Sequence, residues 1–229
     1  MRSAIKSTIL CAMLSMAATT FSVAQSNKEK DKKAVEYAAV VTGRAEKIVA
    51  TLGVADTVKF VKVRDIIAQQ YIDLNKIHDA RNAAVKEVKA KYKEDKTKSD
   101  AEVKKLENNA NKKLDKLHKK YLAKLSKQLN AGQIDMVKDG MTYRVLPITY
   151  KAYQDMIPRL TEVQKKQILE YLTEARERAM DAESSDKKHA WFGKYKGKIN
   201  NYLSAQGIDS QKERKEWEAR IKAAQAKKD

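Results

Sequence analysis

Residues 187–203 read KKHAWFGKYKGKINNYL, the stretch in which ligand-binding residue types are densest. Wound as a helix, Phe192, Ile199 and Tyr202 or Leu203 face a core, while Trp191, Lys194, Lys198 and Asn201 form a separate stripe beside His189. An indole plate flanked by ammonium and amide groups can stack on a sugar ring and pair with its carboxylate. A second aromatic group, Tyr143, Tyr150 and Tyr153, accompanies Arg144 and Lys151. The same rings can instead plug a helical core, and for Trp191 both readings stand. Gly193 and Gly197, four apart, each cost a helix about 1 kcal/mol relative to alanine. Either a closely packed helix or a closely approaching ligand is expected to compensate.

The three histidines, His78, His118 and His189, show no HxxxH, HExxH or CxxC spacing, so no local metal site and no cofactor is expected. His118 sits in a lysine run that repels cations. His78, with Asp79 and Arg81, belongs either to a polar site or to a locally paired helix surface. Glu170, Glu174, Glu177 and Asp181 fall at successive helical steps. Paired carboxylates can hydrolyse glycosides across a cleft, but one helical stripe shows no such separation, and Lys166 and Arg178 are simpler partners for Glu170 and Glu174. The candidate ligand site is therefore Tyr143, Tyr150, His189, Trp191, Lys194, Lys198 and Asn201, with His78, Asp79 and Arg81 second and no catalytic residue assigned.

Helices must position these groups. Val35, Ala38, Val41, Ala45, Ile48, Val49 and Leu52 recur at helical steps and stop at Gly53. Asp56 caps a long helix with the seam Phe60, Val63, Ile67, Leu74, Ile77, Ala84 and Val88, in which Gln70 and Arg81 fill two places. After a charged break at 94–97, Ser99 and Glu102 read as a capping box, and a seam from Val103 to Leu125 continues the pattern. The two fold back as an antiparallel hairpin. Asn130 to Gln133 opens a short helix ending at Gly140, Met141 to Thr149 carries no helical pattern and contains Pro147, and Tyr150 to Ile157 makes a short helix. Thr161 to Gln164 is a capping box, 184–188 a polar break, Trp191 to Ala205 a helix closed by Gly207, and Ser210 to Glu213 the cap of a terminal helix. The fold class is all-α, a long antiparallel hairpin packed with a C-terminal multi-helix domain.

Seven glycines and two prolines in 229 residues agree with helices, and the formal charge of +18 calls for an anionic partner. Fifteen lysines against seven acids lie between Lys86 and Lys127, and twelve basic residues against five acids between Lys187 and Asp229. Such runs also simply solvate long helices. Residues 1–24 carry Arg2 and Lys6, an apolar run and a Ser-Val-Ala cleavage site, the pattern of a secretory signal peptide. Cleavage removes Cys11, the single cysteine, leaving neither disulfide nor thiol chemistry. Residues 25–33 read as a disordered mature N-terminus, 34–130 as the first helix and hairpin, and 131–229 as the C-terminal helical region, one cooperative unit with the hairpin. No transmembrane segment is expected, and export, most simply to a periplasm, argues against nucleic acid.

The segments from Arg44 to Val49, Ile77 to Arg81, Lys138 to Tyr143 and, most specifically, His189 to Gly197 resemble a secreted bacterial family of unknown function often encoded near polysaccharide-utilisation genes. The resemblance implies a glycan-related context and carries no catalytic residue. Leu160-Thr161-Glu162-Val163-Gln164, with Leu129 to Gln133, is more weakly similar to periplasmic Leu-Thr-x-x-Gln helical chaperones. The expected function is an exported, non-enzymatic binding or accessory protein for acidic polysaccharide. The alternative is an ATP-independent chaperone for acidic unfolded polypeptides. An enzyme using His78, Asp79, His189 and the acidic stripe ranks third, and oligomeric state stays open.

Overall fold

The computed structural model describes residue 29 and residues 31–226; the expected signal peptide and residues 25–28 lie outside the described residues. Among these the only regular secondary structure is helical: α1 (31–50), α2 (Thr57–Lys91), α3 (Lys96–Ser126), α4 (Ala131–Met141), α5 (Val145–Met156), α6 (Glu162–Met180), α7 (Ser185–Ala205) and α8 (Ser210–Gln225). Gly53, at φ 67°, turns the chain after α1 in a conformation that suits only glycine well. Asp56 then accepts the N–H of Val58 at 2.8 Å and of Lys59 at 3.0 Å to start α2.

The 35 residues of α2 extend about 50 Å. A turn at 92–95 sends α3 back along it, giving the expected antiparallel hairpin. Val41, Ala45, Ile48, Val49 and Leu52 of α1 pack with Val63 and Ile67 of α2, Tyr121 and Leu125 of α3, and Val137 and Met141 of α4. A second core joins Leu146 and Tyr153 of α5, Ile168, Leu172, Ala175 and Ala179 of α6, and Phe192, Tyr195, Ile199 and Leu203 of α7. Each such Leu, Ile or Phe contributes about 1.5–3 kcal/mol by leaving water. Met180, at the end of α6, belongs to the first core and ties the two together.

Charge reinforces that tie. Arg176 of α6 is buried and donates to Asp139 at 2.8 Å and Asp135 at 2.6 Å on α4, and Lys138 reaches Glu177 at 2.8 Å. Gly140 lies inside α4 and does not end it. A Cβ there would stand 2.9 Å from Ile48 Cγ1, so its missing side chain is what lets α4 approach α1.

Several expected boundaries move. α3 begins at Lys96, because Asp95 accepts the Lys98 N–H at 2.9 Å and caps before Ser99, which is buried one turn later. α5 begins at Val145 within the stretch expected to be irregular: Pro147 sits in its first turn, where an amide N–H has no helical acceptor to lose. The expected polar break at 184–188 is the start of α7, with Ser184 accepting the Lys187 N–H. Asp209, and not Ser210, caps α8, while Glu213 is buried and accepts from Arg159 at 2.6 Å. The capping boxes at Asn130/Gln133 and Thr161/Gln164 are both formed.

Candidate functional site

Between α4 and α5 the chain reverses through Thr142, Tyr143 and Arg144. Thr142 is buried and ties its hydroxyl to the Lys138 carbonyl at 2.8 Å, and the Arg144 N–H bonds the Asp139 carbonyl at 2.7 Å. Closing the turn puts Tyr143 (φ 58°) and Arg144 (φ 56°) in the left-handed region, which side-chain-bearing residues seldom adopt. Two strained residues in succession hold their side chains at the rim of a cavity of about 810 Å³.

That cavity is bounded by Tyr37, Arg44 and Lys47 of α1, Tyr71 and His78 of α2, the 143–144 turn, and Glu183, Ser184, Ser185 and Lys188 at the start of α7. Arg44, Lys47 and Arg144 have no ion-pair partner among the described residues, whereas the cavity's acids are engaged, Asp139 by Arg176 and Glu183 by Arg81. The N-terminal end of α7, with its positive dipole, adds to the field. The cavity is therefore electropositive and faced with tyrosine rings.

Lys188 is buried, with its ammonium on the Ala179 and Met180 carbonyls at 3.2 and 3.1 Å, closing the end of α6. Burial lowers its pKa to about 8. Burial also pushes the Tyr71 phenol up to about 12, so that it stays a neutral donor. His78 is buried too, and its Nε2 donates to the Asp181 carbonyl at 2.8 Å, which fixes the proton on that nitrogen. Its Nδ1 is buried without a partner, 3.8 Å from the Glu183 carboxylate.

On the other side of His78 lies a second cavity of about 930 Å³, between the hairpin and the α6–α7 junction, with Trp191 on its wall. His118 is clasped there, Nδ1 to Asp181 at 2.8 Å and Nε2 to Glu177 at 3.3 Å. Hydrogen bonds to Asp181 first and Glu177 second raise its pKa to about 9. Burial would raise the Glu177 pKa, but hydrogen bonds from His118 and Lys138 outweigh it and lower it to about 2.

The sequence candidates divide between these places. Tyr143 stacks on His189, ring centres 5.5 Å apart and planes within 10°, at the first cavity. Trp191 faces the second, with the Lys194 ammonium 5.2 Å from its ring. Lys198 turns to Tyr195 at 4.3 Å, Asn201 is exposed further along α7, and Tyr150 packs on the second core. His78 takes the polar-site reading, buried and paired across the fold, and Arg81 bonds Glu183 beside it. Asp79 is exposed and, among the described residues, accepts only from Asn75, at 2.7 Å. Glu170 accepts from Gln167, and the expected Lys166–Glu170 and Glu174–Arg178 pairs are not among the ion pairs of the described residues. No atom comes within 4 Å of a Cβ built on Gly193 or Gly197, so helix packing is not what compensates them.

Arg44, Lys47, Tyr37 and Tyr71 escaped the sequence reading. Their signal was a polar stripe beside the core stripe, since Tyr37, Arg44, Lys47 and Thr51 recur at helical steps along α1.

A comparison with the curated proteins finds no match to the chain. A family model described as "Protein of unknown function (DUF3826)" matches residues 38–223, which spans the helices from α1 into α8 and every residue lining the two cavities except Tyr37. The chain therefore belongs to this family of unknown function, DUF3826.

Proposed function

We propose that this protein is exported and binds acidic saccharide, taking a carboxylated or sulfated sugar unit into the cavity between α1, α2 and the 143–144 turn. The observation that supports this reading most is the grouping of three cations without acidic partners, Arg44, Lys47 and Arg144, around a cavity walled by Tyr37, Tyr71 and Tyr143. The guanidinium groups supply paired donors to a planar carboxylate, and the phenol rings supply apolar plates with hydroxyl handles for the sugar. Such a site needs no metal or cofactor for binding.

Titration of the secreted form with glucuronate and with a neutral glucose control tests it. Selective binding of the acid is expected, weakened about tenfold or more by Arg44→Ala, since a hydrogen bond to a charged group contributes about 1.5–3 kcal/mol. Salt should weaken binding further. Absence of binding to glucuronate and to sulfated sugars alike would overturn the proposal. Suppression of client aggregation at stoichiometric protein in that case would favour the chaperone reading.

A further inference from the structure

The second cavity differs in chemistry from the first and meets it along His78, Ala182 and Glu183. Its wall carries as many acidic side chains as basic ones when the His118 imidazolium is counted, so it has no net pull on an anion. It offers acceptors. His78 Nδ1 and Asp181 Oδ1 are both buried without a hydrogen-bond partner. A buried acceptor left unpaired is costly, and hydroxyl groups are the donors that satisfy two neutral-to-anionic acceptors without adding charge. Half-buried Trp191 supplies the flat apolar face that a sugar ring covers.

We infer that the second cavity is a subsite for a neutral, hydroxyl-rich sugar unit, so that the ligand is an oligosaccharide with an acidic unit beside Arg44 and Arg144 and a neutral unit against Trp191. This inference rests on the binding reading above. The chain crosses the turn at 182–184, where one of its hydroxyls donates to His78 Nδ1. For that contact the Glu183 carboxylate, 3.8 Å from the nitrogen, swings aside while Arg81 holds it. The order of the units follows from the net charge, because basic side chains outnumber acidic ones on the wall of the first cavity and only equal them on the wall of the second.

The chain has two tryptophans, so Trp217→Phe leaves Trp191 as the sole indole reporter without altering either cavity wall. Glucuronate and an oligomer alternating uronate with a neutral sugar are titrated into this protein and into Trp191→Ala, the first by fluorescence and both by calorimetry. The oligomer should bind about tenfold tighter than glucuronate. It alone should shift the Trp191 emission, and Trp191→Ala should erase its advantage while leaving glucuronate affinity unchanged. An oligomer that binds no tighter than glucuronate and leaves the emission unmoved would overturn the second subsite and leave the first standing. Failure of both ligands to bind would overturn the two readings together.

Discussion

Replacing His118 by Gln probes the charged strap between the hairpin and α6. The two ring nitrogens reach Asp181 and Glu177, and those bonds lift the imidazole from 6.5 to about 9. A group held above its unfolded pKa stabilises the fold in full below 6.5 and loses that contribution as pH rises through 9. The lift corresponds to about 3 kcal/mol at ~1.4 kcal/mol per pH unit. Water at the open side of the ring screens the pair and brings the expected contribution to about 1.5 kcal/mol. Lys188 works in the opposite sense: with its pKa lowered to about 8, the folded chain sheds that proton first, and stability gains as pH rises from there to 10.5. The difference between wild type and variant cancels the lysine. In urea unfolding, His118→Gln should therefore cost about 1.5 kcal/mol near pH 6 and much less near pH 10. Glu177, near 2, is ionised throughout that range. Equal costs at both pH values would refute the imidazolium clasp.

Three further substitutions have signs that follow from geometry. Gly193→Ala and Gly197→Ala meet open space on α7 and should each raise the unfolding free energy by up to about 1 kcal/mol, measured by urea or thermal melts. Gly140→Ala should lower it by about 1–3 kcal/mol because the new methyl meets Ile48, and a second change, Ile48→Ala, should shrink that penalty in a double-mutant cycle. Arg144→Gly releases a left-handed residue and should stabilise the fold by about 1 kcal/mol while weakening glucuronate binding, a pair of opposite changes readable by melts and calorimetry.

Helical periodicity carried the fold. The α1 core stripe from Val41 to Leu52, the hairpin seam through Val63 and Ile67, and the α6 face of Ile168, Leu172, Ala175 and Ala179 are all buried where their spacing put them. The shifted starts of α3 and α8 share one physical cause, a choice between neighbouring polar residues able to cap the same helix. Asp95 and Ser99 compete for α3, and Asp209 and Ser210 for α8; which one wins depends on where the preceding turn ends. Pro147 misled for a different reason, since proline blocks a helix interior but not a first turn.

The candidate site was less legible because its contacts join distant parts of the chain. His78 and its carbonyl partner at Asp181 are 103 positions apart, and Arg81 and Glu183 are 102. Local spacing showed His78 among charged neighbours, and it could not show that a helix end would cover it. The Trp191 stripe was legible as an amphipathic pattern, but its two flanks diverge around the buried centre of α7: His189 turns to Tyr143 and Trp191 to the hairpin. Buried Lys188 lines the first cavity and binds the last carbonyls of α6, so it fixes the turn at which the two cavities meet. A change that loosens Lys188 should therefore disturb the 182–184 crossing before it disturbs either core, because its hydrogen bonds end on that turn's first support and its neighbours at Phe192 and Tyr195 keep the second core packed.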